Sequence, residues 1–351
     1  MKFNPSRLLI LLCSLALTTP TASRAVEENK ANLKVPMERQ RDPDTQEDVW
    51  VVGLGNDLIG LKKSDRWLTS NIMIGTTTKK IPTFIEKILA DNPNAVFSIA
   101  VSQYLYTPDD TSRSDVVEND RPYAGWLFVT LQGIDRKDNY MIVTGFDVGV
   151  VGPLAGGETV QSFIHKATGS DAPKGWDNQL HNEVGINVFK LWAKSLRSSD
   201  GTFDRELIGH VGLTLGNVNT HAETGFLARW GYNVPDDMGA PFLSTGEMAT
   251  APRRNTIGLA AHDKGDFSFY VFGGADARAV ARDMMLDGNT FGDSHSVDSK
   301  AFVYDWKVGV VVGYKGFEVG YTNVRVSKRF EGQVDPSDNG VIFFRYTKRF
   351  K

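Results

Sequence analysis

Two side chains four positions apart suggest chemistry in this sequence more than any others. Gln161 and His165 lie in the stretch running from Gly156-Gly157-Glu158 to Thr168-Gly169. Val160, Phe163, Ile164 and Ala167 recur there at helical spacing, and Gly169 suits a helix C-cap. Gln161 and His165 then sit one turn apart on a common face, with Glu158 near them. Asp171 follows six residues after the histidine, and Trp176, Gln179, His181 and Glu183 lie beyond. An imidazole backed by a carboxylate can take a proton from water, although a loop histidine held for structural reasons reads the same way locally. A second cluster is Asn56-Asp57, followed by Ser64-Asp65-Arg66 and Thr69. A carboxylate beside an amide offers oxygen donors to a hard cation such as calcium, and the same pair also serves simply to end a strand and turn the chain. A third cluster holds Tyr106-Thr107-Pro108, Arg113 and Asp120-Arg121-Pro122-Tyr123-Ala124-Gly125-Trp126. Arg113 or Arg121 can meet a phosphate, while Asp120-Arg121 equally suits an ordinary surface ion pair.

Several other chemistries are excluded. No Gly-x-Ser-x-Gly or His-Glu-x-x-His motif occurs. Gly53-x-Gly55 with Gly60 misses the dinucleotide spacing, and no phosphate-loop lysine follows. Cys13 is the only cysteine and falls inside an apolar leader, so disulfides, thiolate metal sites and a cysteine nucleophile are not expected. That leader (residues 1–25) has Lys2 and Arg7 before the apolar run Leu8 to Leu17, and Ser23-Arg24-Ala25 as its cleavage site, the pattern of export. The formal net charge is −3, and losing Lys2, Arg7 and Arg24 with the leader makes the remainder three charges more negative. Nucleic acid is therefore not an expected partner.

The elements that must position these residues are strands. Trp306, Val308, Val310, Val312 and Tyr314 alternate with Lys307, Gly309, Val311 and Gly313, giving one apolar face with an aromatic at each end. Eight steps span roughly 26 Å, enough when tilted to cross the apolar band of an outer-membrane barrel. Phe226, Ala228, Trp230 and Tyr232 repeat the pattern, as do Leu207, Val211, Leu213 and Leu215, and the chain finishes on Ile342, Phe344, Tyr346, Lys348 and Phe350. After the leader no run of about 18 apolar residues occurs to make a membrane helix. The expected fold is all-β, a transmembrane antiparallel β-barrel of about twelve strands with a short helix in an extracellular loop. Residues 26–48 read as a polar flexible lead-in and 49–351 as the barrel. Strands are expected near 49–57, 67–77, 95–106, 123–134, 139–151, 183–196, 204–217, 220–233, 266–281, 301–314, 316–328 and 340–350. The strand-like stretch 255–262, inside a long connection, is left as a plug or periplasmic element because a thirteenth strand would make the number odd. With a periplasmic N-terminus, the connections 57–67, 106–123 and 151–183 emerge together at the cell surface. His210, His221, His262 and His295 are expected at lumen or loop positions.

Taken jointly, these clusters resemble the outer-membrane lipid A 3′-O-deacylases. The resemblance is carried by Gly55-Asn56-Asp57, Asp65-Arg66 with Thr69, Tyr106-Thr107-Pro108, Asp120 to Trp126, and Gly152-Pro153-x-Ala155-Gly156-Gly157-Glu158-x-Val160-Gln161 leading to His165. It runs through nearly the whole mature chain. It implies a twelve-stranded barrel in the outer membrane of a Gram-negative bacterium that hydrolyses the 3′-linked acyl ester of lipopolysaccharide with calcium, and it implies no protein partner. Matched by motif, Asn56 and Asp57 stand at the calcium and active site, with Asp57 the metal ligand. Thr69 takes the family's hydroxyl position and Arg113 a basic, substrate-binding one. Gln161, His165 and Asp171 take the catalytic positions, with Glu183 or Glu158 as alternatives to Asp171, where the family usually has Glu. Leu68-Thr69-Ser70-Asn71 departs from the family's Tyr-Thr-Asn-Gly. The implied mechanism has His165 activating water and Asp171 orienting it. Two other readings of the barrel are a passive porin and a non-catalytic lipopolysaccharide-binding protein.

Overall fold

Alternation at period two builds the whole molecule. The computed structural model describes residues 47–56, 60, 67–78, 83–89, 95–137, 139–239 and 266–349. The leader, the lead-in up to residue 46, Asp57, the 64–66 cluster and the 255–262 stretch with His262 lie outside the described residues. Twelve strands close into one antiparallel barrel in which each strand pairs with its sequence neighbours and β1 pairs with β12. They are β1 (Glu47–Asn56), β2 (Trp67–Thr78), β3 (Val96–Thr107), β4 (Ala124–Lys137), β5 (Tyr140–Val151) and β6 (Glu183–Ser199), then β7 (Phe203–Gly216), β8 (Asn219–Tyr232), β9 (Phe267–Asp283), β10 (Phe302–Tyr314), β11 (Phe317–Val326) and β12 (Ser337–Arg349). The strand begins at Glu47, so the last two residues of the expected lead-in already belong to β1.

The outward face is the one the sequence pattern marks. Trp306, Val308, Val312 and Tyr314 are exposed, as are Phe226, Trp230, Leu207 and Val211, whereas Val303 and Val311 point inward and are buried. Such an apolar exposed wall suits a hydrocarbon surround. Among the described residues no helix is long and apolar enough to cross a membrane.

The lumen is packed, not open. Ile134, Val143, Phe189, Leu191, Ile208, Leu227, Tyr270, Phe272 and Phe343, from seven strands of the wall, form one buried cluster with Val234 and Met238 of the β8–β9 connection. Its described part, residues 233–239, turns into the barrel. Asp237 accepts from Arg229 Nη1 of β8 at 2.6 Å and from Arg345 Nη1 of β12 at 2.7 Å. Arg136 of β4 donates to the Asp236 carbonyl at 2.6 Å, and Arg197 of β6 to the Pro235 carbonyl at 3.1 Å. Mid-wall, His210 lies 3.1 Å from Asp276, whose other oxygen takes Lys307 at 2.7 Å. Buried charges require such partners.

Among the described residues three α-helices lie in the connections: α1 (Thr83–Leu89), α2 (Gly157–Thr168) and α3 (Met284–Asp287). Residues 47 and 349 stand at one rim. The connections β3–β4, β5–β6, β7–β8, β9–β10 and β11–β12 stand at the other, where Met284, Met285 and Leu180 pack on Tyr104, Tyr106 and Trp126.

Candidate active site

The site is built against the outside of the wall, just below the second rim. On β3, Ile99 and Val101 are exposed outward residues, and the same alternation makes Gln103, Leu105 and Thr107 face outward too. Yet Leu105 and Thr107 are buried: the β5–β6 connection folds down over Leu105, and Thr107 meets Thr69 of β2. Gln103 Nε2 donates to the Ala155 carbonyl at 2.6 Å. Gly157, the first residue of α2, comes so close to the wall that a Cβ there would meet the Trp176 ring at 2.6 Å and Leu105 Cδ2 at 3.1 Å. Only a residue without a side chain lets the helix seat at this depth.

Seating α2 this way buries one of its faces. Gln161 and His165 are buried, while Glu158, Phe163 and Lys166 are exposed. The helix ends at Gly169, whose φ of 74° and ψ of 20° are left-handed, and the amides of Gly169 and Ser170 both return to the His165 carbonyl. The chain therefore doubles back and brings the Asp171 main-chain carbonyl to 2.5 Å from His165 Nδ1. The spacing suggested a carboxylate partner; the contact is made by the backbone of Asp171, and the residue itself is exposed. A carbonyl can only accept, so it fixes the proton on Nδ1 and leaves Nε2 as the basic nitrogen. Glu183 is engaged elsewhere: it accepts from Asn217 Nδ2 at 3.0 Å, Asn289 Nδ2 at 3.1 Å and the Thr290 amide at 2.8 Å, which secures the β9–β10 connection.

Beside the helix, at the same rim, the first three strands hold a polar group on the wall. The β2–β3 register shifts between Leu68 and Ser70, so Thr69 is the bulged residue. A bulge re-aims a side chain, and here Thr69 Oγ1 meets Thr107 Oγ1 at 2.7 Å, both buried. Asn56 Nδ2 donates to the Thr69 carbonyl at 2.7 Å, which ties the end of β1 to the bulge. Asn56, Thr69 and Thr107 are thus joined; over β3 and β4, His165 of the helix is joined to the Asp171 carbonyl, and Gln161 lies buried four residues before it. Thr107 was not singled out for the site, although a polar residue on the outward parity of β3 was a readable sign.

The arginines of the third cluster go elsewhere. Arg113 is exposed, and its guanidinium is engaged by both oxygens of Asp115, with Nε 3.1 Å from Oδ1. Its connection packs against the end of the helical segment through Lys174 N to the Thr111 carbonyl at 3.0 Å. Arg121 is buried instead of lying in a surface pair: its guanidinium stacks 4.2 Å over the Tyr106 ring. Asp120 accepts from the amides of Asp109 and Arg121, each at 2.7 Å. Burial pushes the Asp120 carboxyl above the ordinary carboxylate range, and those amides offset only part of the shift. His295 Nε2 meets the Asp120 carbonyl at 2.8 Å, and His221 sits 3.8 Å from Glu223, both in keeping with loop and lumen roles.

Among the described residues no group of three or more His, Cys, Asp or Glu side chains is placed to hold a metal. What the wall offers a cation is hard, neutral oxygen: Asn56, the two threonine hydroxyls and main-chain carbonyls.

Comparison with known proteins agrees with this architecture. A family model described as outer membrane protein LpxR matches residues 8–348. Among solved structures, LpxR from Salmonella typhimurium superposes with a TM-score of 0.70 at 20% identity, covering 85% of this chain and 99% of that one. The beta domain of the Bordetella autotransporter Brka (TM-score 0.39, 10% identity, 86% and 98% covered) is a far looser likeness. So is the KdgM porin (TM-score 0.32, 8% identity, 86% and 98% covered). No curated protein sequence matches. Since the family model spans nearly the whole length, this chain belongs to the LpxR family of outer-membrane proteins, the lipid A 3′-O-deacylase family that its motifs resemble.

Proposed function

We propose that this chain is a calcium-dependent outer-membrane esterase that hydrolyses the 3′-linked acyl group of lipid A, with His165 as the general base. The observation that carries this reading is the buried Gln161–His165 face of α2, held against the outward wall with Nδ1 fixed by the Asp171 carbonyl. A tautomer locked in this way presents Nε2 to a water molecule. As water's oxygen bonds to the ester carbonyl carbon, its proton passes to Nε2 and the carbonyl π pair moves onto oxygen. Collapse of that oxyanion breaks the ester bond, and the departing 3′-oxygen takes the proton back from the imidazolium. Gln161 and Asn56 supply amide groups beside this chemistry, Thr69 orients the Asn56 end of the site, and Arg113 stands at its edge where phosphate passes.

The cation is expected at Asp57, next in sequence to Asn56, with neutral oxygens completing an all-oxygen set that suits calcium. Bound there, calcium would polarise the ester carbonyl. The placement on the outward wall also supports the substrate: a lipid in the outer leaflet reaches the site sideways, with the site rim at the cell surface and the chain ends in the periplasm. A porin needs an open lumen, and among the described residues this lumen is filled.

Mass spectra of lipid A from cells making the wild type and His165→Ala test the proposal, with calcium supplied or chelated. Loss of the 3′-acyl mass is expected only with the wild type and calcium. Removing the base should cost about 10²–10⁴ in rate, so an undiminished rate in His165→Ala would refute the assignment.

A further inference from the structure

The catalytic helix carries an amide whose two ends are unequal. Gln161 Oε1 accepts from the indole Nε1 of Trp176 at 2.7 Å. Nε2, fully buried, has no hydrogen-bond partner in the protein. A buried donor left unpaired is costly and points to an acceptor that arrives with the substrate. The two ends of a carboxamide diverge, so Nε2 is the end turned away from the indole.

Trp176 is itself firmly placed. It is buried and opens a single 3-10 turn, Trp176–Asn178, pinned by Asn178 Nδ2 to the Ser114 carbonyl at 2.8 Å and by the Leu180 amide to the Tyr123 carbonyl at 2.9 Å. Its ring lies 5.0 Å from that of Tyr123 at 58° and presses on Gly157 at the start of α2. An indole can only donate. A tryptophan fixed at this point therefore decides which way the glutamine faces: its oxygen takes the indole proton and its NH₂ is the end left without a protein partner.

We infer that Trp176 is a positioning residue that holds Gln161 as a hydrogen-bond donor to the substrate's reacting carbonyl oxygen. The inference rests on the esterase reading for its catalytic part, while the contact itself is testable without activity. Trp176→Phe keeps an aromatic ring and removes the donor, and the indole volume lost against Gly157 is controlled for by making the same substitution without Gln161.

In the detergent-solubilised full chain labelled with ¹⁵N-tryptophan, the indole resonance missing from Trp176→Phe identifies Trp176. In Gln161→Ala that resonance should move and exchange faster with solvent; an unmoved resonance overturns the contact. In the acyl-release assay, Trp176→Phe should lower kcat by about three- to tenfold, the worth of one hydrogen bond, with KM little changed. In a Gln161→Ala background the same substitution should change kcat by less than about twofold, since the residue it acts through is gone. An equal loss in both backgrounds would make Trp176 merely structural and overturn the inference. If the wild type releases no acyl group while the resonance behaves as expected, the esterase reading fails and the positioning of Gln161 stands.

Discussion

Truncating Asp171 to alanine separates two accounts of how His165 is oriented. Spacing alone favours the Asp171 carboxylate; the structure gives the work to its carbonyl, 2.5 Å from Nδ1. Asp171→Ala keeps that carbonyl and removes an exposed side chain, a change normally within about 0.5 kcal/mol, or roughly twofold in rate. A carboxylate essential to the base would instead take with it a sizeable part of the about 10²–10⁴ attributed to general-base catalysis. The companion variant is Gly169→Ala. No atom lies within 4 Å of the added Cβ, so only the backbone is perturbed, at φ 74°. Forcing alanine into the left-handed region costs about 1–2 kcal/mol, which is relieved by opening the turn that presents the carbonyl, at a cost of about five- to thirtyfold in activity. Initial rates of acyl release from purified lipopolysaccharide in detergent micelles with calcium measure both. The expected order is wild type, then Asp171→Ala close behind, then Gly169→Ala well below. A hundredfold loss in Asp171→Ala beside a normal Gly169→Ala would refute the backbone account.

Other outcomes follow from the packing. Gly157→Ala puts a Cβ 2.6 Å from the Trp176 ring; overpacking of about 1–3 kcal/mol should lift α2 and lower kcat/KM about tenfold or more in a barrel with unchanged circular dichroism, and a wild-type rate would show that the helix has slack. Asp237→Ala removes the carboxylate that Arg229 and Arg345 share, leaving them Glu206 and Glu318, and should lower the unfolding free energy by about 1–3 kcal/mol, read as a reduced denaturant midpoint; an unchanged midpoint would show the network to be dispensable. The Asp120 carboxyl, raised by burial, contributes stability that is full below its unfolded pKa and lost as pH rises through the folded one. Amides of residues 108–123, corrected for intrinsic exchange, should therefore be better protected at mildly acid than at neutral pH, and Asp120→Asn should flatten that dependence.

The wall was legible because it is periodic. Each strand repeats the same in–out rule, so Trp306 to Tyr314 alone declares a lipid-facing stave, and the twelve expected strands coincide with those found to within a few residues. Helix α2 and its cap at Gly169 were legible for the same local reason. What escaped depends on contacts distant in sequence or on side chains aimed by irregular backbone. Arg345 and Asp237 meet across 108 residues, and no periodicity announces that. Thr69 reaches Thr107 only because a bulge turns it. Helix α1, seven residues with Ile85 and Leu89 packed toward Phe97, Leu131 and Phe146, is too short to show a helical repeat. The main-chain contact of Asp171 with His165 is not legible, because every residue carries a carbonyl and sequence does not tell which one will be presented.

Placing the reactive face on the outer surface of the barrel changes the dimension in which the proposed reaction runs. A substrate that never leaves the leaflet arrives by lateral diffusion, so its supply is an area density. Rates should scale with the mole fraction of substrate among the surrounding lipids. Diluting it with inert lipid at constant bulk concentration should slow the enzyme as effectively as removing substrate, and a crowded, ordered leaflet should restrain it with no inhibitor at all.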